Sequence, residues 1–346
     1  MTAAAARVVT FGEIMLRLSP PGLERLLQTP ALTATFGGGE ANVAVSLAHF
    51  GLDSVYVTAL PSHAVGDAAL RALRAEGVRT DRIVRSGHRV SIYFAETSAS
   101  QRASTVIYDR AHSSIADLAG DAIPWPDIMS GAAWFHVSGI TPALSAQAAE
   151  STRRAIEAAR AAGARVSFDL NFRRKLWTEA EAQRVVGPLL RHVDVLIANE
   201  EDLQSMLGIH VAGADVTAGR LEHRGFRDAA ERVTRECGPP IVAITLRESF
   251  SASDNGWSAL LWDAATGRML TSQRYEIRVV DRIGAGDSFA AGLIYGFIAG
   301  RTPEETLRFA VAASALKHTI HGDFNRVSVD DVDRLARGDA SGRVQR

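Results

Sequence analysis

One cysteine, Cys237, occurs in 346 residues. A lone thiol excludes an intramolecular disulfide framework and a cysteine-rich metal site, and it fits a reducing, cytoplasmic compartment. An excess of one charge sign is also lacking: 38 Lys and Arg stand against 39 Asp and Glu, a formal net charge of -1. That balance leaves no electrostatic footprint for nucleic acid or an anionic membrane, so an anionic ligand must be met by locally placed cations and backbone amides. Long apolar runs are absent too. The most apolar late segment, Ile283 to Gly300, is interrupted by Asp287 and several glycines, and reads as a buried helix with a polar mouth rather than a membrane span. The N-terminal MTAAAARVVTFGE lacks the charged-then-apolar order of a secretory signal, so the mature chain is expected to start near residue 1. No GxxxxGK[ST], HExxH or GxSxG pattern occurs, which removes P-loop transferases, zincins and serine hydrolases of the usual kinds.

What is present is a rhythm. The chain is long enough for one large α/β domain, or for a core with a small accessory domain. Short apolar runs (Val8 to Phe11, Ser54 to Ala59, Phe135 to Val137, Val166 to Leu170) alternate with helical-period segments (Ala41 to Phe50, Asp67 to Glu76, Ala146 to Ala162). Alternation of this kind predicts βαβ units and a mainly parallel sheet. Gly51, Gly77 and Gly163 stand where helices need a left-handed C-terminal residue. Two stretches break the rhythm, Met15 to Phe36 and Gly87 to Arg110; their period-two patterning predicts a small antiparallel sheet laid over the main one as a lid. Further on come a strand ending at Asn199, a polar connection through 210–225, a strand at Ile241 to Leu246, hairpin chemistry at Asn255-Gly256 and a frayed tail.

Four segments carry chemistry. In DRIGAGDSFAAGLIYG, residues 281–296, glycines flanking a small residue let successive N–H groups converge on an anion at a helix N-terminus. Asp287 there is either a helix cap or a carboxylate that takes the proton of an attacking hydroxyl. In FGGGEANVAVSLAHFG, residues 36–51, three glycines admit a ligand close to the backbone and Asn42 offers an amide to hydroxyls, or the run is a plain turn. SFDLNFRRKLW, residues 167–177, puts Asp169, Asn171 and Arg173 at the carboxyl end of a strand, where parallel α/β sheets bind ligands, or Arg173, Arg174 and Lys175 form an exposed basic loop. Asn199-Glu200-Glu201-Asp202 either serves Mg²⁺ through waters or simply favours a helix dipole.

Taken in order, GGGEANVA and DRIGAGDSFAAG resemble the two signatures of the ribokinase-like (PfkB) carbohydrate kinase family, and the likeness runs along essentially the whole chain. HVSGITPALS at 136–145, SFDLNFRRKLW and YDR at 108–110 resemble the 2-keto-3-deoxygluconate kinases of that family. The resemblance implies a three-layer αβα sandwich: a kinase core of residues 1–14, 37–86 and 111–337, a lid of 15–36 and 87–110, and a tail at 338–346. It implies Asp287 as catalytic base with Gly284, Ala285 and Gly286 as anion hole. Gly38, Asn42, Tyr93, Tyr108, Arg110, Arg173 and Asp323 become sugar-binding positions, Asn199 and the glycines nucleotide-binding ones, and Asp202 an indirect Mg²⁺ position where Glu is more usual. ATP and Mg²⁺ are the implied cofactors, with a monovalent cation left open, a sugar acid the substrate, and a homodimer through the lid the assembly. The nucleotide loop departs from the family: TLRESFSASDNGWSA at 245–259 replaces a short Lys/Arg-Gly-xx-Gly turn, leaving Thr245 and Arg247 as nucleotide candidates. Competing readings are a neutral-sugar kinase, a dinucleotide oxidoreductase lacking its GxGxxG, and a catalytically silent sugar-binding regulator.

Overall fold

The computed structural model describes residues 5–211, 214–215, 220–221 and 223–339. Much of the polar connection expected at 210–225, and the tail from residue 340, lie outside the described residues. In chain order the longer strands are β1 (Arg7–Phe11), β2 (Met15–Ser19), β3 (Thr33–Gly37), β4 (Asp53–Val57), β5 (Ser91–Glu96) and β6 (Thr105–Asp109). They continue as β7 (Trp134–Ser138), β8 (Arg165–Asp169), β9 (Val195–Ala198), β10 (Ile241–Ser249), β11 (Asp254–Asp263), β12 (Arg268–Thr271) and β13 (Tyr275–Arg278). The main sheet runs β12-β11-β10-β9-β8-β7-β1-β4, with β13 also on β11. From β4 to β10 every pairing is parallel; β11, β12 and β13 add an antiparallel edge.

Both faces of this sheet are covered, which is why its strands read as near-continuous apolar runs. Val9, Phe135, Val166 and Phe168 pack on one side against the helices Ala146–Ala161 and Glu179–Leu189. Val8, Trp134, Val195 and Ile197 pack on the other, against helices α1 (Gly39–His49), α3 (Ala285–Ile298) and α4 (Pro303–Lys317); α2 is Glu200–Leu207. Each fully buried Val or Phe contributes about 1.5–3 kcal/mol by leaving water. Helices α3 and α4 touch closely because Gly292 and Gly296 carry no Cβ: one would stand 2.6 Å from Ala310 Cα and 2.7 Å from Thr306 Cγ2. Gly51, Gly77 and Gly163 do adopt left-handed φ of 83°, 83° and 77° after their helices.

The lid is a separate four-stranded sheet, β3-β2-β5-β6. Its central pair, β2 with β5, is parallel, and only the outer pairs are antiparallel. The expectation of an all-antiparallel lid is corrected here. Period-two patterning reports that a strand has two unlike faces, not which way its neighbour runs; each interruption folds as its own hairpin, and the two hairpins join through their first strands. A second correction concerns Asn255-Gly256. Both lie inside β11, opposite Ser249 and Glu248, because the turn falls earlier, where Ser251 accepts from the N–H groups of Ser253 and Asp254.

Candidate active site

Strand order reverses at β1: the chain first adds β4 on one side, then β7, β8, β9 and β10 on the other. Open α/β sheets hold ligands outside the carboxyl ends of strands at such a switch point. Here that crevice is a cavity of about 450 Å³, walled by the glycine run, the lid, the ends of β8 and β9, and the start of α3.

The three glycines leading into α1 each admit a different neighbour. A Cβ on Gly37 would stand 1.9 Å from an Asp323 carboxylate oxygen, and one on Gly38 would stand 1.9 Å from the Glu13 carbonyl oxygen. At Gly39 the nearest atom is Asp287 Oδ1, 3.6 Å away. The run thus brings the core, the base of the lid and α3 to one point. Behind it, buried Glu40 accepts from the Ser138 N–H and hydroxyl and the Thr141 hydroxyl, all at 2.8 Å.

Asp287 is not a helix cap. The N-cap of α3 is Gly284, at φ 87°, with no side-chain cap bond, so the first amides of the helix stay available to an anion. The half-buried Asp287 instead accepts from Asn42 Nδ2 at 2.7 Å through Oδ2. Burial, with the Glu40 and Asp323 charges behind it, pushes its carboxyl up to about 7 against the opposing Asn42 bond. A base must be ionised to act, so kcat/KM should rise with pH to a midpoint near that value and level off above it. A flat profile through neutrality in a pH–rate measurement would contradict a base in this environment. Gly284 itself has no room for a side chain: a Cβ would lie 2.1 Å from the Asp323 carbonyl oxygen. Gly284→Ala should therefore lower both the denaturation midpoint and turnover, with at least about 1–2 kcal/mol from the left-handed backbone alone, as a chemical denaturation series would measure.

Tyr108, Arg110 and Arg173 line the same cavity as Asn42 and Asp287. Arg110 lies over the Tyr108 ring at 4.3 Å and places Nε 3.3 Å from Glu13 Oε2. Arg173 donates to the Phe172 carbonyl at 2.9 Å and leaves the rest of its guanidinium to the cavity. Tyr93 and Asp323 are more deeply engaged than a simple contact role implies. The Tyr93 hydroxyl donates to Asp323 at 2.6 Å, and Arg17 donates to Asp323 at 2.8 Å and to Asp281 at 2.7 Å. This buried network ties lid strands β2 and β5 to the 281–286 turn and to the loop that follows α4.

The residues expected to meet the nucleotide have mixed surroundings. Asn199 and Asp202 form a reciprocal capping box at the start of α2, and Asp202 also accepts from the Phe172 N–H at 2.8 Å. Both side chains are thus spent largely on structure. Burial still pushes the Asp202 carboxyl up to about 6 and holds that of Asp169 well above its ordinary range, the latter helped by the Asp202 and Asp287 charges. Thr245 sits half-buried, its hydroxyl 3.5 Å from the Ala198 carbonyl, while Arg247 is exposed at the rim beside Arg282. Arg282 donates to the Ala252 carbonyl at 2.7 Å, yet its buried Nε has no partner.

The pattern of pfkB family carbohydrate kinases matches residues 5–328. The chain belongs to that family. It is 34% identical to the 2-dehydro-3-deoxygalactonokinase of Haloferax volcanii over 97% of this chain and 98% of that protein. The crystal structure of 2-dehydro-3-deoxygluconokinase from Thermotoga maritima is 50% identical, with a TM-score of 0.92, over 96% of this chain and all of that one. The fructokinase of Klebsiella pneumoniae is 28% identical over 95% of this chain and 98% of its own length.

Within this carbohydrate kinase the sequence reading missed Glu13, Arg17, Glu40, Asp281 and Arg282. Asp281, Arg282 and Glu40 sit inside the quoted motifs, and a buried charge in a glycine-rich segment is a usable signal. Arg17 meets partners 264 and 306 residues away, so no local pattern points to it. Among the described residues no three His, Cys, Asp or Glu side chains converge to grip a metal ion, and no helix is long and apolar enough to cross a membrane.

Proposed function

We propose that this kinase transfers the γ-phosphate of ATP to the terminal hydroxyl of a 2-keto-3-deoxy sugar acid, with 2-keto-3-deoxygluconate as the best substrate. The observation that carries this reading is that Arg110 and Arg173 line the cavity that also holds Asp287. A neutral sugar has no use for two guanidinium groups, whereas a carboxylate is bound by their planar fork. The deoxygluconate and deoxygalactonate kinases among the relatives support the same class.

Asp287, steadied by Asn42 through one oxygen, accepts the proton of the terminal hydroxyl as that oxygen attacks the γ-phosphorus of ATP, the bond from that phosphorus to the bridging oxygen breaks and ADP leaves. The amides of residues 284–286 receive the transferring phosphoryl oxygens, and Arg282 and Arg247 add positive charge from the rim. Buried Asp169 and Asp202 offer the hard oxygens that suit Mg²⁺ through waters. When bound with ATP, that ion supplies charge neutralisation between the phosphates. The lid, drawn to the core through Arg17, excludes water and limits wasteful hydrolysis.

One observation favours a neutral sugar instead: Arg110 already has Glu13 as counter-ion. Coupled kinase assays on the keto-deoxy acids, fructose and ribose separate the two. The sugar acids should give the higher kcat/KM; preference for fructose or ribose would overturn the assignment. We also infer a homodimer through the lid. Leu16, Leu18, Phe36, Ile92, Phe94 and Ile107 fall on one outer lid face by register and are at most partly buried, an apolar patch that a second copy would cover. Light scattering should give twice the chain mass, and a lid-face Phe94→Asp variant the single mass.

A further inference from the structure

Lys317, the last residue of α4, is completely buried and takes no part in the chemistry above. Its ammonium donates to the carbonyl oxygens of Ile320 at 3.1 Å and Asp281 at 3.5 Å. Its Cε lies 3.2 Å from where a Cβ on Gly284 would stand, so the side chain packs against the 281–286 turn, and it does not line the cavity that holds Asp287. Burial works against the charge and lowers the affinity of the amine for its proton, with Arg17 adding to that, while Asp281, Asp323 and Asp287 attract the ammonium. Sequestering an ammonium from water costs several kcal/mol unless carboxylates and hydrogen-bond acceptors replace the solvent. Here the acceptors belong to the two loops that frame the turn: Asp281 at the start of the anion-hole segment, and Ile320 in the loop leading to Asp323.

The family resemblance leaves a monovalent cation open. Such an ion is held by carbonyl and carboxylate oxygens that replace its hydration shell, and behind the turn two carbonyl oxygens, of Ile320 and Asp281, already accept from an ammonium. The residues present do not fit an added ion. We propose that Lys317 is the kinase's own fixed monovalent cation: its ammonium locks the 281–286 turn to the 317–323 loop, and turnover needs no added potassium. Lys317 is thereby a positioning residue, acting through the amides of 284–286. The inference rests on reading those amides as the phosphoryl site.

The test compares chlorides of potassium, sodium, caesium and tetramethylammonium at constant ionic strength, reading both melting temperature and kcat. The wild-type protein should show no potassium-specific change in either. Lys317→Met, which keeps the length without the charge, should lower kcat by about 10²-fold, the cost of misplacing catalytic groups by roughly an ångström, with a smaller change in KM and no rescue by potassium. Lys317→Ala empties the position, so potassium or ammonium should raise its melting temperature and return part of kcat, while tetramethylammonium does neither. Potassium-specific activation of the wild type overturns the proposal, as does a folded Lys317→Met with normal kcat, or a folded Lys317→Ala indifferent to potassium and ammonium. If either variant fails to fold, the wild-type salt series still decides. Should no sugar be phosphorylated at all, the functional reading fails, while the melting series continues to test the cation.

Discussion

Asp287→Asn is expected to lower kcat by about 10²–10⁴-fold, the range for losing a positioned general base, with melting temperature at pH 8 no lower than that of the wild type. The two halves of this expectation come from the same environment. Asp287 Oδ2 is held by Asn42, so Oδ1 can take the substrate proton; an amide in its place cannot. Burial raises the Asp287 carboxyl to about 7, above its value in an unfolded chain. For a carboxyl shifted in that direction, the stability it contributes is present in acid and is lost as pH rises through the folded-state value. At pH 8 the ionised form is the costly one, and Asn relieves it. Near-normal turnover in a folded Asp287→Asn protein would remove Asp287 from the reaction, whereas loss of both activity and fold would make it structural.

Arg173→Met should cost about 1.5–3 kcal/mol of sugar-acid recognition, the usual worth of a charge-assisted hydrogen-bonding pair, or roughly 10–100-fold in kcat/KM. Most of it should appear in KM, because the carboxylate is bound equally in ground and transition states. A second readout separates recognition from packing. The Arg173 charge is among the influences that hold the Asp287 carboxyl down, so its removal should move the rising limb of the pH–rate profile to higher pH. Slow turnover of a neutral sugar by the same variant should show the pH shift without the KM change. An unaltered KM for the acid would turn the cavity over to a neutral sugar.

The layers of the fold were legible because both faces of a parallel sheet are buried and helices end at glycines; those signals are local. The direction of the lid strands was not, since alternation in β2 and β5 is the same for either partner direction. At the site, Asp287 and the glycine run could be read from spacing, and Asn42 with them. What spacing left open was whether Asp287 caps its helix. Only the fold answers that, by making Gly284 the N-cap and turning the carboxylate to Asn42. The charges behind the site follow the same rule. Arg17 finds Asp281 and Asp323, and Glu13 finds Arg110, across long stretches of chain; such pairs exist once the lid is seated and have no signature before. Asp202 and Asn199 were legible as a cluster, yet the capping box that engages them is equally consistent with a helix start, so their chemistry could not be read from composition.

The most direct measurement is a coupled phosphoryl-transfer assay on the purified kinase with ATP and Mg²⁺, comparing 2-keto-3-deoxygluconate, its galactonate epimer, fructose and ribose. The arrangement of Asp287 with Arg110 and Arg173 predicts the highest kcat/KM on a keto-deoxy acid, with one phosphate added at the terminal hydroxyl. Equal or better turnover of fructose or ribose would contradict it.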